Sequence, residues 1–133
     1  MPDQCVLQLQ PVLSQQELVF EFMGFCQKHH GVKSFPLFTD PSWHIFMYYV
    51  SKELRHLLPP LFDIEFEWNA LCPLISGRDD ISFALSILAT FDFSAQRMWL
   101  SEEEEWGKKL DEQFPRLADK MVRLSREVRG FIA

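Results

Sequence analysis

The last third of the chain has the most regular hydrophobic pattern. Ser101 and Glu104 have the spacing of a capping box, which starts a helix. Apolar residues then recur at steps of four or three, which places them on one side of a helix. They are Trp106, Leu110, Phe114, Leu117, Met121, Leu124, Val128 and Phe131. Pro115 removes a backbone donor in this segment. We therefore predict a helix that starts at Ser101 and is kinked or divided at Pro115.

This apolar stripe has two interpretations. Sustained spacing of this kind is first a packing pattern, so the helix should cover the core of its own chain. Alternatively, the stripe is a coiled-coil seam that forms a homodimer through the C-terminal helix, although it runs for little more than the minimum of three heptads. The opposite side of the helix is basic and should face solvent. Its cations are Arg116, Lys120, Arg123, Arg126 and Arg129.

Two more helices have clear start signals nearer the N-terminus. Ser14 and Glu17 form a second capping box, which opens an apolar helix that should end before Gly31. Asp40 and Pro41 are an N-cap residue followed by proline at the first helical position. The helix that they open should end at the proline pair 59–60. Its two apolar strips favour a position between layers of the protein.

Alternating residues predict a small sheet. In residues 62–69, four large apolar side chains alternate with Asp63, Glu65 and Glu67, so one side of this strand should be buried and the other exposed. Residues 4–10 alternate more weakly and should form its partner strand.

The middle of the chain is less clear. The Pro, Ser and Gly residues between 73 and 77 predict a loop. Asp79 or Asp80 should then cap a helix that reaches Phe91. Residues 92–100 are ambiguous, and Ser94 favours a short turn of helix there.

Together these elements predict one domain over residues 1–133. Its fold class should be α+β and α-rich, with four to five helices packed on a small two- or three-stranded sheet. A winged-helix variant is an alternative, because helices and a short sheet are also its parts.

Composition narrows the class of protein. The chain is 47% apolar, which is typical of a globular protein, and its net charge of −6 disfavours general binding to nucleic acid or anionic membranes. Cys5, Cys26 and Cys72 are odd in number and widely spaced, which favours reduced thiols in a cytoplasmic protein. The N-terminus lacks the pattern of a signal peptide, and no apolar run is long enough to span a bilayer. We expect no membrane association.

Catalytic and metal-binding motifs are weak. Glu53 and His56 have the Glu-x-x-His spacing of helical di-iron proteins, but no second copy exists. Glu17 and Glu21 could supply carboxylates. His29, which is adjacent to His30, and His44 could approach a metal only if the connecting loop folded back. We expect no cofactor and no metal site, and we favour a non-enzymatic protein. A small metal-dependent enzyme that uses Glu17, Glu21, His29, His44, Glu53 and His56 is the alternative.

Clustered acidic residues suggest a binding function. Asp63, Glu65 and Glu67 should form one exposed row, and Glu102 and Glu103 belong to a run of four glutamates. Both could bind a partner with a basic surface. We therefore predict a protein-interaction domain, either an inhibitor or immunity-type protein or a small subunit of a complex. A winged-helix-like nucleic-acid binder that uses the basic C-terminal face is a further alternative. Asp119 and Glu127 should neutralise part of that face, so nucleic acid is the less favoured partner.

Overall fold

The computed structural model describes residues 12–60, 62–101 and 105–133. In this part of the chain, helices pack on a small antiparallel sheet, which confirms the α-rich α+β class. The α-helices are α1 (Gln15–His29), α2 (Pro41–Glu53), α3 (Arg78–Leu88), α4 (Lys108–Gln113) and α5 (Pro115–Glu127), and Arg55–Leu57 is a 3-10 helix. The strands are β1 (Phe35–Pro36), β2 (Phe66–Asn69), β3 (Cys72–Ile75), β4 (Ala89–Asp92) and β5 (Arg97–Leu100).

The described strands form two antiparallel units. The three-stranded sheet has the order β1-β5-β4. Met98 of the central strand β5 lies between Phe35 of β1 and Phe91 of β4. The second unit is the hairpin β2–β3, with Phe66 opposite Ile75. Its turn holds Ala70 at a φ of 55°, which is left-handed backbone.

The buried apolar residues form one continuous cluster centred on aromatic rings. Phe131, near the C-terminus, lies 4.8 Å from the ring of Trp43 and 4.8 Å from that of Phe46, measured between ring centroids. The indole N–H of Trp43 donates a hydrogen bond of 2.7 Å to the carbonyl oxygen of Pro36, so this ring is buried without an unpaired donor. Such edge and tilted contacts hold α2 and the C-terminus together.

The two predicted N-terminal helix starts are confirmed. Ser14 and Glu17 form the capping box of α1, and the Asp40 carboxylate accepts a hydrogen bond of 2.9 Å from the N–H of Ser42 at the start of α2. Helix α1 is buried from Leu18 to Cys26, as its wide apolar surface predicts. Helix α2 ends at Glu53, earlier than the proline pair, and a 3-10 turn follows it.

The predicted strand over residues 62–69 is shorter in the structure. Only β2 is regular, although Phe62 and Ile64 before it are buried as the alternation predicts. Its partner in the described residues is β3, which contains Pro73, so the predicted loop at 73–77 is wrong for its first part. The predicted partner at residues 4–10 lies outside the described residues.

The hairpin β4–β5 was not predicted from the sequence pattern. Helix α3 ends at Leu88 rather than Phe91, and the ambiguous residues 92–100 supply the turn and β5. Gly77, not an aspartate, precedes α3, so the predicted Asp caps are wrong. Asp79 and Asp80 instead lie in the first turn, where carboxylates suit the positive end of the helix dipole.

The C-terminal segment is divided at Pro115, as predicted. Phe114 has a φ of −134° and ends α4, and Pro115 starts α5. The first helix of this segment starts at Lys108, later than predicted, and residues 105–107 are not helical. Residues 102–104, which include Glu104 of the predicted capping box, lie outside the described residues.

The stripe covers the core of its own chain. Leu110, Leu117, Met121, Leu124 and Phe131 are buried, and α5 lies against α1 and α2. This stripe is therefore not available as a coiled-coil seam for a homodimer. Among the described residues, no helix has the length and apolar character needed to cross a bilayer.

Candidate interaction surfaces

The three predicted acidic residues near β2 face solvent, but they have different neighbours. Asp63 lies 3.6 Å from the guanidinium of Arg55, and Glu67 lies 3.1 Å from that of Arg78. Glu65 has no side-chain partner among the described residues. The other predicted binding residues, Glu102 and Glu103, lie outside the described residues. A binding role for all five stays a prediction.

Trp68 is exposed, which corrects the prediction that it lies on the buried side of its strand. Its side chain is 57% exposed, although its ring contacts Tyr48 of α2. The two rings meet edge to face, with centroids 5.3 Å apart, and Phe66 contacts the same tyrosine at 5.5 Å. Leu71, in the hairpin turn, is 95% exposed.

These aromatic rings form one wall of a cleft, here called the Trp68 cleft. Its volume is about 380 Å³, within the range of small-molecule sites. Its lining residues come from α2, the 3-10 helix and β2 with the segment before it. They are Tyr48, Ser51, Lys52, Arg55, Ile64, Phe66 and Trp68.

Helix α3 exposes two large apolar side chains one turn apart. Phe83 and Ile87 are each 70% exposed, whereas Ile81 and Leu85 on the other side of the helix are buried. We call the exposed side, with Asp79, Asp80, Phe83 and Ile87, the α3 surface. The sequence pattern gave no role to Phe83 and Ile87. Both lie off the helical face that carries Ile81 and Leu85, and this offset was the signal that the sequence offered.

The turn of the β4–β5 hairpin exposes another aromatic ring. Phe93 is 72% exposed and stacks on Phe91, with ring centroids 5.3 Å apart and planes 4° from parallel. Phe91 belongs to β4, which follows α3 directly, so the two phenyl rings lie close to that helix in the chain.

The predicted metal candidates do not converge. Among the described residues, no three His, Cys, Asp or Glu side chains are grouped to hold an ion. Glu53 and His56 are both exposed, and His56 belongs to the 3-10 helix rather than to α2. His29 is also exposed and lies 3.8 Å from Asp111.

His44 and Glu21 are buried and use their polar atoms within the fold. The Nε2–H of His44 donates to the carbonyl oxygen of Phe38 at 3.0 Å, and Nδ1 accepts from the N–H of Ile75 at 3.1 Å. Burial lowers the pKa of His44, so this ring is a neutral bridge between α2 and β3. The Glu21 carboxylate accepts backbone hydrogen bonds at the start of α4. Neither side chain has a free atom directed at a substrate.

Another cleft, of about 840 Å³, lies between α1 and β5. Its described lining contains Lys28 and Lys33 but no carboxylate or histidine. The Gln27 side chain in its wall exchanges two hydrogen bonds with the backbone of Leu100, at 2.9 and 3.0 Å. This cleft therefore brings together no acid–base pair within the described residues.

Cys26 is buried in α1, and burial raises the pKa of its thiol to about 12. A thiol with so high a pKa is a poor nucleophile at neutral pH. Cys72 is partly exposed in β3, and both cysteines are free.

The basic side of α5 is exposed along its whole length. Within the described residues none of its cations forms an ion pair, so the predicted pairs with Asp119 and Glu127 are absent. The helix therefore presents Arg116, Lys120 and Arg123 to solvent on one side.

Comparisons with protein-family models, with curated protein sequences and with solved structures each found no match to this chain.

Proposed function

We propose that this chain is a cytosolic protein-interaction domain that binds its partner through the α3 surface. The observation that carries the proposal is the exposure of Phe83 and Ile87, each 70%, on adjacent turns of one helix. Monomeric proteins rarely leave neighbouring large apolar side chains in water without a function, and such patches typically mark binding sites. An amphipathic helix that places such residues in a groove of its partner is a common mode of recognition.

The charges beside this patch define the partner. Asp79 and Asp80 lie in the first turn of α3 and are exposed. The chain as a whole has a net charge of −6. A partner with an apolar groove bordered by basic residues would complement both features. An inhibitor or immunity-type protein and a small subunit of a complex both fit this description.

The acidic residues before and within β2 form a second proposed contact. Glu65 is the strongest candidate, because Asp63 and Glu67 already have arginine neighbours in the described residues. Glu102 and Glu103 remain part of the proposal through their charge alone. The cytosolic location is supported by the free thiols of Cys26 and Cys72.

A nucleic-acid-binding function is the second candidate, and the arrangement of elements favours it. The order helix, strand, helix, helix, strand, strand, with β5 central in the sheet, is that of a winged-helix domain with the β2–β3 hairpin inserted. In such a domain the third helix would enter the DNA groove. Here that helix is α3, whose exposed side offers acidic and apolar side chains, so phosphate contacts there would be repulsive. These residues favour a protein partner on the same surface.

The test compares partner capture by three forms of the protein. Phe83→Ser with Ile87→Ser removes the apolar patch, and Leu71→Ser removes an apolar side chain elsewhere that is even more exposed, at 95%. We expect wild-type protein and the Leu71 variant to retain the same partner from native lysate, measured by quantitative mass spectrometry. The double variant should lose it while its circular dichroism spectrum stays unchanged. Equal capture by all three forms would remove the α3 surface from consideration.

Two further measurements separate the other candidates. Charge reversal at Glu65 and Glu67 should weaken capture of the same partner without unfolding the domain. A gel shift that depends on salt and is lost in Arg123→Glu would instead favour nucleic-acid binding through α5.

A further inference from the structure

The Trp68 cleft combines aromatic side chains with two cations, a combination that the α3 surface lacks. Trp68 leaves 57% of its surface open, and Tyr48, which also lines the cleft, supports the indole by an edge contact at 5.3 Å. Phe66 contacts the same tyrosine at 5.5 Å, with the planes 82° apart. An indole that is held in place yet more than half exposed offers a surface on which a planar ring can stack.

Lys52 and Arg55 also line the cleft. The ammonium group of Lys52 lies 5.6 Å from the centroid of the Tyr48 ring, so this cation is already directed at the aromatic wall. The two residues are three positions apart, at the end of α2 and in the 3-10 helix. Both side chains line the same cleft, so an ammonium and a guanidinium are available to bind one phosphate.

The local charge favours an anion despite the acidity of the whole chain. No carboxylate is among the residues that line this cleft. Arg55 does approach Asp63, but the two atoms are 3.6 Å apart and both side chains are mostly exposed, at 60% and 68%. Such an exposed ion pair contributes little, so Arg55 can turn to a ligand at small cost.

We infer that the Trp68 cleft binds a nucleoside phosphate. The base would stack on Trp68, and the phosphate would bind Lys52 and Arg55. The volume of about 380 Å³ suits one such unit. The unit could be a free nucleotide or one residue of a single-stranded nucleic acid, since both offer the same ring and phosphate. This inference does not depend on the partner proposed for the α3 surface.

The experiment is a calorimetric titration of the full chain with AMP. Wild-type protein should bind saturably and should bind adenosine or inorganic phosphate at least about tenfold more weakly, because each supplies only half of the contacts. Lys52→Glu with Arg55→Glu should weaken AMP binding at least about tenfold. Trp68→Ala should weaken it about tenfold as well, since stacking of a base on an aromatic ring has this magnitude.

Matched controls come from exposed residues elsewhere. Lys120→Glu with Arg123→Glu makes the same change of charge at the same spacing on α5, and Phe93→Ala removes another exposed ring. Both should bind AMP as wild type does. Circular dichroism of every variant should show the wild-type spectrum. Losses as large in these controls would show that binding is not at the cleft and would overturn the inference.

Three other outcomes also overturn the inference. The first is no saturable binding of AMP or of a ten-residue oligoadenylate at millimolar concentration. The others are equal binding of adenosine and AMP, and wild-type affinity for AMP in both cleft variants. A titration with the oligoadenylate identifies the source of the ligand. Tighter binding than AMP that is lost in Trp68→Ala indicates a single strand, and equal binding indicates a free nucleotide.

Discussion

The Glu21 carboxylate, in the middle of α1, caps the start of α4 at Leu110. Its Oε1 accepts a hydrogen bond of 2.9 Å from the N–H of Leu110, and its Oε2 accepts one of 3.1 Å from the N–H of Gly107. The first N–H groups of a helix have no partner within it, and a carboxylate suits their positive end. Glu21 therefore supplies from α1 the cap that α4 lacks in its own sequence, and it ties the C-terminal segment to the core.

Replacing Glu21 should destabilise the protein strongly. Glu21→Ala leaves two buried N–H groups without an acceptor, so we expect a loss of about 3 kcal/mol in the free energy of unfolding. Glu21→Gln keeps one acceptor oxygen and should cost less. Urea unfolding measures both, with Glu112→Ala on the exposed side of α4 as the control, which should change little. Equal stability of the Glu21 and Glu112 variants would contradict the capping role.

Gly107 should tolerate no side chain, because two constraints meet there. Its φ is 106°, and a Cβ atom would lie 2.5 Å from the backbone nitrogen of Phe25 in α1. Gly130 also has a positive φ, of 71°, but has open space around it. Gly130→Ala should therefore cost about 1 kcal/mol for the backbone alone. Gly107→Ala should cost about 2–4 kcal/mol, since overpacking adds to the strain. Thermal unfolding of the two variants tests this difference, and equal losses would refute it.

Local signals in the sequence were sufficient for several elements. Ser14 and Asp40 start helices as predicted, because a cap acts through residues only two or three positions away. Pro115 divides the last helix for an equally local reason. The start of α4 could not be predicted in this way, because its cap, Glu21, is 89 residues from Leu110.

Neither hairpin was predicted from the sequence, because strand formation there depends on the residues that pair across the hairpin. Pro73 signals a loop, yet β3 accommodates it opposite Trp68 in a two-stranded unit. Phe91 fits the apolar stripe of α3, yet it pairs with Met98 in the sheet. For the candidate site, the exposure of Glu65 and Glu67 was predictable from alternation. The exposure of Trp68 was not, because it depends on where the core ends.

The apolar side of α5 should be far more sensitive to charge than its basic side. Leu117 is 1% exposed and Arg123 is exposed on the other side of the same helix. Leu117→Asp buries an unpaired carboxylate, so we expect a loss of several kcal/mol or an unfolded protein. Arg123→Asp should change the free energy of unfolding by about 0.5 kcal/mol or less. The measurement is the melting temperature by circular dichroism, and similar melting of the two variants would contradict this assignment of faces.

Protonation of His44 should make folding stability depend on pH. Its Nδ1 accepts the N–H of Ile75 and therefore must be unprotonated for that hydrogen bond. Burial lowers the pKa of His44 in the folded state below its usual 6.5, and the hydrogen bond to the Phe38 carbonyl opposes this with a smaller effect. Of the nearby charges, Arg78 also lowers the pKa of His44 and Asp40 raises it.

Because the folded-state pKa of His44 is the lower one, the unfolded chain binds more protons at this residue as the solution is acidified. Its stabilising contribution is complete above about pH 6.5, where the ring is neutral in both states, and decreases as the pH falls from 6.5 towards the folded-state value. His44→Gln should lose about 1–3 kcal/mol at neutral pH through the broken bridge. The stability difference between wild type and this variant should shrink as the pH falls below about 6.5. His29, His30 and His56 are present in both proteins, so the comparison isolates the change at position 44. Urea unfolding of the two proteins at several pH values tests this prediction, and parallel pH profiles would show that His44 is not the titrating group.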